Sequence, residues 1–165
     1  MSMTTEAPAT RDARDLLTAE ELAAVTATVQ LNNPGMGTDV AEAITLEALK
    51  FEAACAAHPT ARLKPSRVVD EGWHALILHT RIKARLATVL GLFVHHVPEA
   101  PNTSRHDPHA LAQTQDAIRA AGYTPVSTMW GGPTDTSIPV AASCEHSPAP
   151  PEGTCTGDCG NTGPN

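Results

Sequence analysis

Apolar residues recur every three or four positions along much of this chain, which is the spacing of a helix with one buried face. The clearest series is Val40, Ile44, Ala48, Phe51 and Cys55. No stretch shows the alternation at every second position that marks a half-buried strand. The predicted helices run from a Thr18–Glu21 capping box to about Gln30, from a cap at Thr38 or Asp39 to His58, from Arg67 to Leu90, and from an Asp107–Pro108 start to Gly122.

The apolar content also separates a domain from its flanks. Leu, Ile, Val and Phe together number 30 among 165 residues, and 25 of them lie between positions 16 and 97. The segment after Tyr123 contains seven Pro, six Gly and no Lys or Arg, a composition that does not support a packed core. We therefore predict an all-α protein: a small three- to four-helix bundle over 16–123, a disordered N-terminus over 1–15 and a flexible, Cys-containing tail over 124–165.

Charge and hydropathy exclude several partner classes. The formal net charge is −7, and no stripe of Lys and Arg is available for a nucleic-acid backbone. The longest strongly apolar run, residues 89–94, is far shorter than the roughly 20 residues of a membrane-spanning helix. The first residues contain neither a basic nor an apolar signal-peptide region. We expect a cytoplasmic protein that binds neither nucleic acid nor membranes, and the excess of Arg and Ala suggests a bacterial source.

Histidine and carboxylate residues cluster near the beginning of the predicted third helix and just after its end. Asp70 and Glu71 stand four and three residues before His74, so both carboxylates can lie beside that imidazole. His95 or His96 could return to the same place if the segment after Gly91 folds back. Two imidazoles and one carboxylate would bind zinc, with iron as the alternative. The competing interpretation is a local Asp70–His74 pair with surface-exposed His95 and His96.

The same segment resembles a known family. Asp70, Trp73, His74, Gly91 and His95 are similar in type and spacing to the central motif of the glycine-rich-domain-like (GRDP-like) proteins, a helical group of plants and bacteria. Leu76 stands where plant members have a second His. The resemblance covers about 30 residues and implies a helical domain with no assigned reaction.

The tail carries a second group of potential ligands, Cys144, His146, Cys155 and Cys159. Three Cys and one His could form a tetrahedral zinc site, and the surrounding glycines permit tight turns. A single pair of Cys with three residues between them is a weak signature. Free thiols and a disulfide are the alternatives.

Three single residues carry further expectations. Cys55 lies on the apolar face of the second helix and is expected to be a buried structural thiol. Gly72, inside a helix, suggests a close backbone approach or a ligand. Trp130 could dock the beginning of the tail onto the domain.

We predict a small protein that binds a transition metal ion, zinc in the first place. A metal-dependent enzyme using the His and carboxylate residues is one alternative. An interaction protein, whose tail folds on a protein partner, is another. Nucleophile motifs, a phosphate-binding glycine-rich loop and a dinucleotide fingerprint are missing from the sequence, so no catalytic residue is assigned.

Overall fold

The structure is a computed structural model that describes residues 10–98, 107, 109–141 and 146–148. None of the helices in these ranges combines the length and the apolar character needed to cross a membrane. Single 3-10 turns cover Ala13–Leu16 and Ser127–Met129. The other elements are α1 (Ala19–Asn32), α2 (Thr38–Ala57), α3 (Arg67–Leu78), α4 (Thr80–Leu90), β1 (His96–Pro98), α5 (Ala110–Ala120) and β2 (His146–Pro148).

Side-chain hydrogen bonds explain where α1 and α3 begin. Oγ1 of Thr18 accepts from the backbone N–H of Glu21 at 3.2 Å, and a Glu21 carboxylate oxygen accepts from the backbone N–H of Thr18 at 2.9 Å. The predicted capping box is confirmed. Oγ of Ser66 accepts from the backbone N–H of Val69 at 3.1 Å and caps α3 in the same way.

The predicted cap of α2 is wrong. Gly37 occupies the N-cap position, and neither Thr38 nor Asp39 does so. Thr38 is the first helical residue, and its Oγ1 accepts from Nε2 of Gln30 at 3.0 Å. The hydroxyl therefore joins the end of α1 to the start of α2 instead of closing the helix end.

The single helix predicted from Arg67 to Leu90 is also wrong, because the chain breaks at His79 between α3 and α4. His79 has φ −89° and ψ 69°, outside the helical region, and its Nε2 lies 2.8 Å from Oγ1 of Thr28 on α1. Gly91 forms the predicted left-handed C-cap with φ 78°. The described chain thus has five helices instead of three or four, and the all-α class is confirmed.

Helix α2 lies at the centre of the core and contacts α1, α3, α4 and α5. It approaches α3 closely at Gly72, where an added Cβ would lie 2.7 Å from the backbone oxygen of Ile44 and 3.0 Å from Cβ of Ala48. This confirms a close backbone approach as the reason for glycine inside α3. The largest fully buried side chains are Trp73, Phe51, Ile44, Leu49, Leu76, Leu86, Ile118, Glu47, Glu52, Val25, Val29 and Val69.

Two segments that the sequence assigns to the flanks pack on the helices. In residues 10–15, the backbone N–H of Arg11 donates to the carbonyl oxygen of Gly122 at 2.8 Å, and Ala13 is buried. In residues 124–141, Trp130 is buried and its Nε1–H donates to Oε2 of Glu47 at 2.8 Å. The predicted docking of Trp130 is confirmed. The packed part of the chain therefore extends beyond the predicted limits of 16 and 123, because contacts with the helices hold both segments.

Strands β1 and β2 form an antiparallel pair, although the sequence pattern predicts no strand. The register places His96 opposite Pro148, Val97 opposite Ser147 and Pro98 opposite His146. Each strand has three residues, too few to show the alternation on which a strand prediction depends.

Candidate metal centre

Helix α3 holds Asp70 and His74 side by side. Four residues along a helix bring two side chains to within about 40° of each other around its axis. Nδ1 of His74 lies 2.9 Å from the backbone oxygen of Asp70 and 3.3 Å from its Oδ2. The Asp70 side chain is 1 % exposed and the His74 side chain 37 %. The carboxylate is thus buried, whereas the imidazole reaches the surface.

The segment after α4 brings a second imidazole to this pair. Val94 is buried in the core, and β1 follows it. Nε2 of His96 lies 3.7 Å from Oδ1 of Asp70. The His96 ring centroid is 4.7 Å from that of His74. The predicted return of the chain after Gly91 is therefore what the structure has, with His96 as the returning residue.

His95, the other candidate, lies elsewhere. It is exposed, and its ring centroid is 4.8 Å from that of Phe93. Successive residues of an extended chain point to opposite sides, so His95 and His96 cannot both face Asp70. Of the two predicted candidates, His95 and His96, the structure therefore brings His96 to Asp70, and the proposed ligand at His95 is corrected.

Asp70, His74 and His96 together form a group that could hold a metal ion. One donor atom from each residue lies within 4.8 Å of the other two. In a tetrahedral zinc site, with ligands about 2 Å from the ion, donor atoms are about 3.3 Å apart. Two nitrogens and one carboxylate oxygen are a ligand set that transition metals accept.

Asp70 stabilises a proton on the imidazole ring of His74. A hydrogen bond to the Asp70 side chain raises the pKa of His74 above the ordinary value of 6.5, and burial opposes this shift. The backbone oxygen of Asp70 can only accept, so the proton of the neutral ring lies on Nδ1. That tautomer makes Nε2 the basic nitrogen, as in metal-binding histidines whose other nitrogen donates to a carbonyl or carboxylate.

Trp73 positions His96 from the core side. The indole is fully buried, and its ring centroid lies 4.6 Å from that of His96. Its Nε1–H donates to Oε2 of Glu52 at 2.7 Å, and its ring meets Phe51 edge-on at 4.9 Å. Because α2 supplies both contacts, the tightly packed α2–α3 pair fixes the surface on which His96 rests.

The second predicted carboxylate, Glu71, is not part of this group. It is buried, and its Oε1 accepts from Nδ2 of Asn33 at 3.0 Å. Oδ1 of the same Asn33 accepts from the backbone N–H of Ala141 at 2.7 Å. Glu71 thus belongs to a network that joins α3, the end of α1 and the segment leading to β2.

The structure bears on the prediction for Cys55 but not on the predictions for the cysteines of the tail. Cys55 is buried, and burial raises the pKa of its thiol well above the usual value, as expected of a structural thiol rather than a nucleophile. Cys144, Cys155 and Cys159 lie outside the described residues. For His146, the described part is its place in β2.

A scan against protein-family models found no match to this chain, and searches of curated proteins and of solved structures found none either. The resemblance to the glycine-rich-domain-like proteins therefore stays a prediction.

Two features of the centre could not be found by sequence reasoning. One is the choice of His96 over His95, since both follow Gly91 at a plausible distance. The other is the part played by Trp73, which occupies an apolar helix position that predicts only burial. The alternation rule for extended chain indicates that one of the two histidines faces inward but does not say which.

Proposed function

We propose that this protein binds a transition metal ion, zinc in the first place and iron(II) as the alternative, through Asp70, His74 and His96. The observation that supports this most is the meeting of three donor atoms within 4.8 Å, drawn from two separate elements, α3 and β1. The Asp70 carboxylate, which is 1 % exposed, lies within 4 Å of a nitrogen of both imidazoles, so the three side chains form one cluster.

The donor chemistry also supports a transition metal over magnesium or calcium. Hard cations prefer ligand sets made of oxygen, whereas imidazole nitrogen suits zinc, copper, iron and nickel. Zinc accepts a mixed nitrogen and oxygen set without a geometric preference of its own. Two histidines and one carboxylate are also the set that holds non-haem iron, which is why iron(II) is the alternative.

Adjacent histidines offer a matched control for the test. The protein is purified without added metal, stripped with a chelator, and titrated with Zn²⁺ against a chromophoric competitor. The wild type should bind one equivalent, and His96→Ala should weaken binding at least about 100-fold, since lost outer contacts alone cost 10–100-fold. His95→Ala should bind like the wild type. Sub-stoichiometric binding by the wild type, or equal affinities for both variants, would rule the proposal out.

A metal-dependent enzyme is the second candidate. Its support is the 37 % exposure of the His74 side chain, which leaves one side of the group reachable from solvent. A catalytic ion keeps at least one exchangeable position, whereas a structural ion is closed by protein ligands. Azide should change the visible spectrum of the Co²⁺-substituted protein if a position is open. An unchanged spectrum at saturating azide would remove this candidate.

A further inference from the structure

A network of buried groups lies on the core side of the metal centre. Glu52 on α2 uses both of its carboxylate oxygens in this network. Its Oε2 accepts from Nε1–H of Trp73 at 2.7 Å, and its Oε1 pairs with the ammonium group of Lys83 on α4. Glu52 and Lys83 are both buried. Because one carboxylate binds both donors, the position of the indole depends on the position of the Lys83 ammonium group.

The segment that returns to the centre after α4 contacts this network twice. The ring of His96 lies against the indole of Trp73, with 4.6 Å between the ring centroids. Earlier in the same segment, the ring of Phe93 lies 5.2 Å from Nζ of Lys83, within the roughly 6 Å reach of a cation–π contact. Val94, between the two aromatic residues, is buried. The network therefore contacts both the beginning of this segment and its ligand.

We infer that Glu52 and Lys83 position His96 as a ligand of the metal ion. Glu52 acts through the indole of Trp73, and Lys83 acts through both Glu52 and the ring of Phe93. The inference rests on the proposed function. The ligand group itself contains neither Glu52 nor Lys83, so both are positioning residues. Groups that orient a metal-binding imidazole typically contribute 10–100-fold to metal affinity.

Removing the buried pair tests the inference. The double variant Glu52→Leu with Lys83→Met replaces both charges at similar volume. Circular dichroism first shows that the stripped variant is folded, and Zn²⁺ is then titrated against a chromophoric competitor. Binding should be at least about 10-fold weaker than in the wild type. The control, Glu21→Gln with Arg85→Met, removes another ion pair of α4 while keeping the capping box, and it should bind like the wild type.

Cobalt substitution reads the arrangement of the ligands directly. The visible spectrum of bound Co²⁺ depends on the number and geometry of its ligands. It should change in the Glu52 and Lys83 double variant, where His96 is displaced, and stay unchanged in the control. A pair that only stabilised the fold would leave the spectrum of the folded double variant like that of the wild type.

Phe93 gives a second comparison and decides the inference if the double variant does not fold. The residue is 44 % exposed, so its replacement leaves the core intact. Phe93→Leu removes the aromatic face and should weaken Zn²⁺ binding about 2- to 5-fold, the range expected of an exposed cation–π contact. Phe93→Tyr keeps the aromatic face and should bind like the wild type.

The proposed function and this inference fail differently. A wild type that binds no Zn²⁺ overturns both. A wild type that binds one equivalent, while the Glu52 and Lys83 double variant keeps full affinity, overturns only the positioning role. An equal loss of affinity in the Glu21 and Arg85 control, or equal affinities for Phe93→Leu and Phe93→Tyr, would overturn it as well.

Discussion

Trp73 contacts the buried carboxylate of Glu52 and the imidazole of His96, which faces a second buried carboxylate, Asp70. Its Nε1–H donates to Glu52 on α2, whose other oxygen pairs with the buried ammonium group of Lys83. Its ring lies against His96, which faces Asp70 on α3. Both carboxylates are almost completely buried, with Glu52 at 0 % and Asp70 at 1 % residue exposure. Burial alone therefore does not separate a structural carboxylate from a candidate ligand.

The chemistry of the partners makes the difference. Burial raises the pKa of Glu52 and lowers the pKa of Lys83, and the attraction between the two groups opposes both shifts. A protonated lysine has no lone pair with which to bind a metal ion. Glu52 and Lys83 therefore pair with each other and form a poor metal site. An imidazole can exchange its proton for a metal ion. The buried carboxylate of Asp70 therefore lies beside side chains that can bind a metal ion, whereas the buried carboxylate of Glu52 does not.

The largest effect should come from breaking the Glu52 pair. Glu52→Ala leaves the Lys83 ammonium buried without its partner and should lower the free energy of unfolding by about 3–5 kcal/mol in urea denaturation. The double variant Glu52→Leu with Lys83→Met removes both charges at similar volume and should be far less destabilised. If the double variant loses as much as the single one, the Glu52 region is not the ion pair described above.

A smaller loss of stability should show that the packing of α3 against α2 can be changed without changing metal binding. Gly72→Ala should destabilise the protein by about 1–3 kcal/mol through overpacking against Ile44, although Ala normally improves a helix interior. Gly132→Ala, which meets open space, is the control and should change stability by less than about 0.5 kcal/mol. Gly72 lies about 160° around the helix from Asp70, so the stoichiometry of bound Zn²⁺ should be unchanged. Loss of metal in Gly72→Ala would mean that packing and metal binding are not separable.

The smallest effect is a pH dependence that should reverse when metal is added. Asp70 raises the pKa of His74 above 6.5. In metal-free protein, the stabilisation by protonated His74 is complete below the unfolded-state pKa and is lost as pH rises through the higher folded-state pKa. The stability advantage of the wild type over His74→Gln should therefore shrink between about pH 6 and pH 8. With Zn²⁺ present, protons compete with the ion, so the advantage should grow over the same range.

Urea denaturation at several pH values, with and without Zn²⁺, measures both trends. His95→Gln is the control and should follow the wild type, because His95 is exposed and lies away from Asp70. Parallel trends with and without metal would contradict a role for His74 in binding the ion.

The sequence predicted the parts of this fold that depend on local interactions. The Thr18 capping box, the apolar face of α2 and the Gly91 cap are confirmed, because each depends on residues within a few positions of one another. The break at His79 was missed, because the apolar spacing continues through it and the hydroxyl of Thr28 that meets His79 lies far away in the sequence. The docking of Trp130 was predicted, but the buried contact at Met129 and the extent of packing over residues 124–141 were missed, because the composition of this segment is polar.

The candidate metal centre also has one part that local sequence spacing predicts and another part that depends on tertiary packing. The sequence by itself determined that Asp70 and His74 are neighbours, because helical geometry brings residues four apart together. Only the tertiary structure decided that His96 completes the group, that Glu71 turns instead to Asn33, and that β2 lies beside β1. Those outcomes depend on how separate elements pack, and the energy of such packing is distributed over residues far apart in the chain.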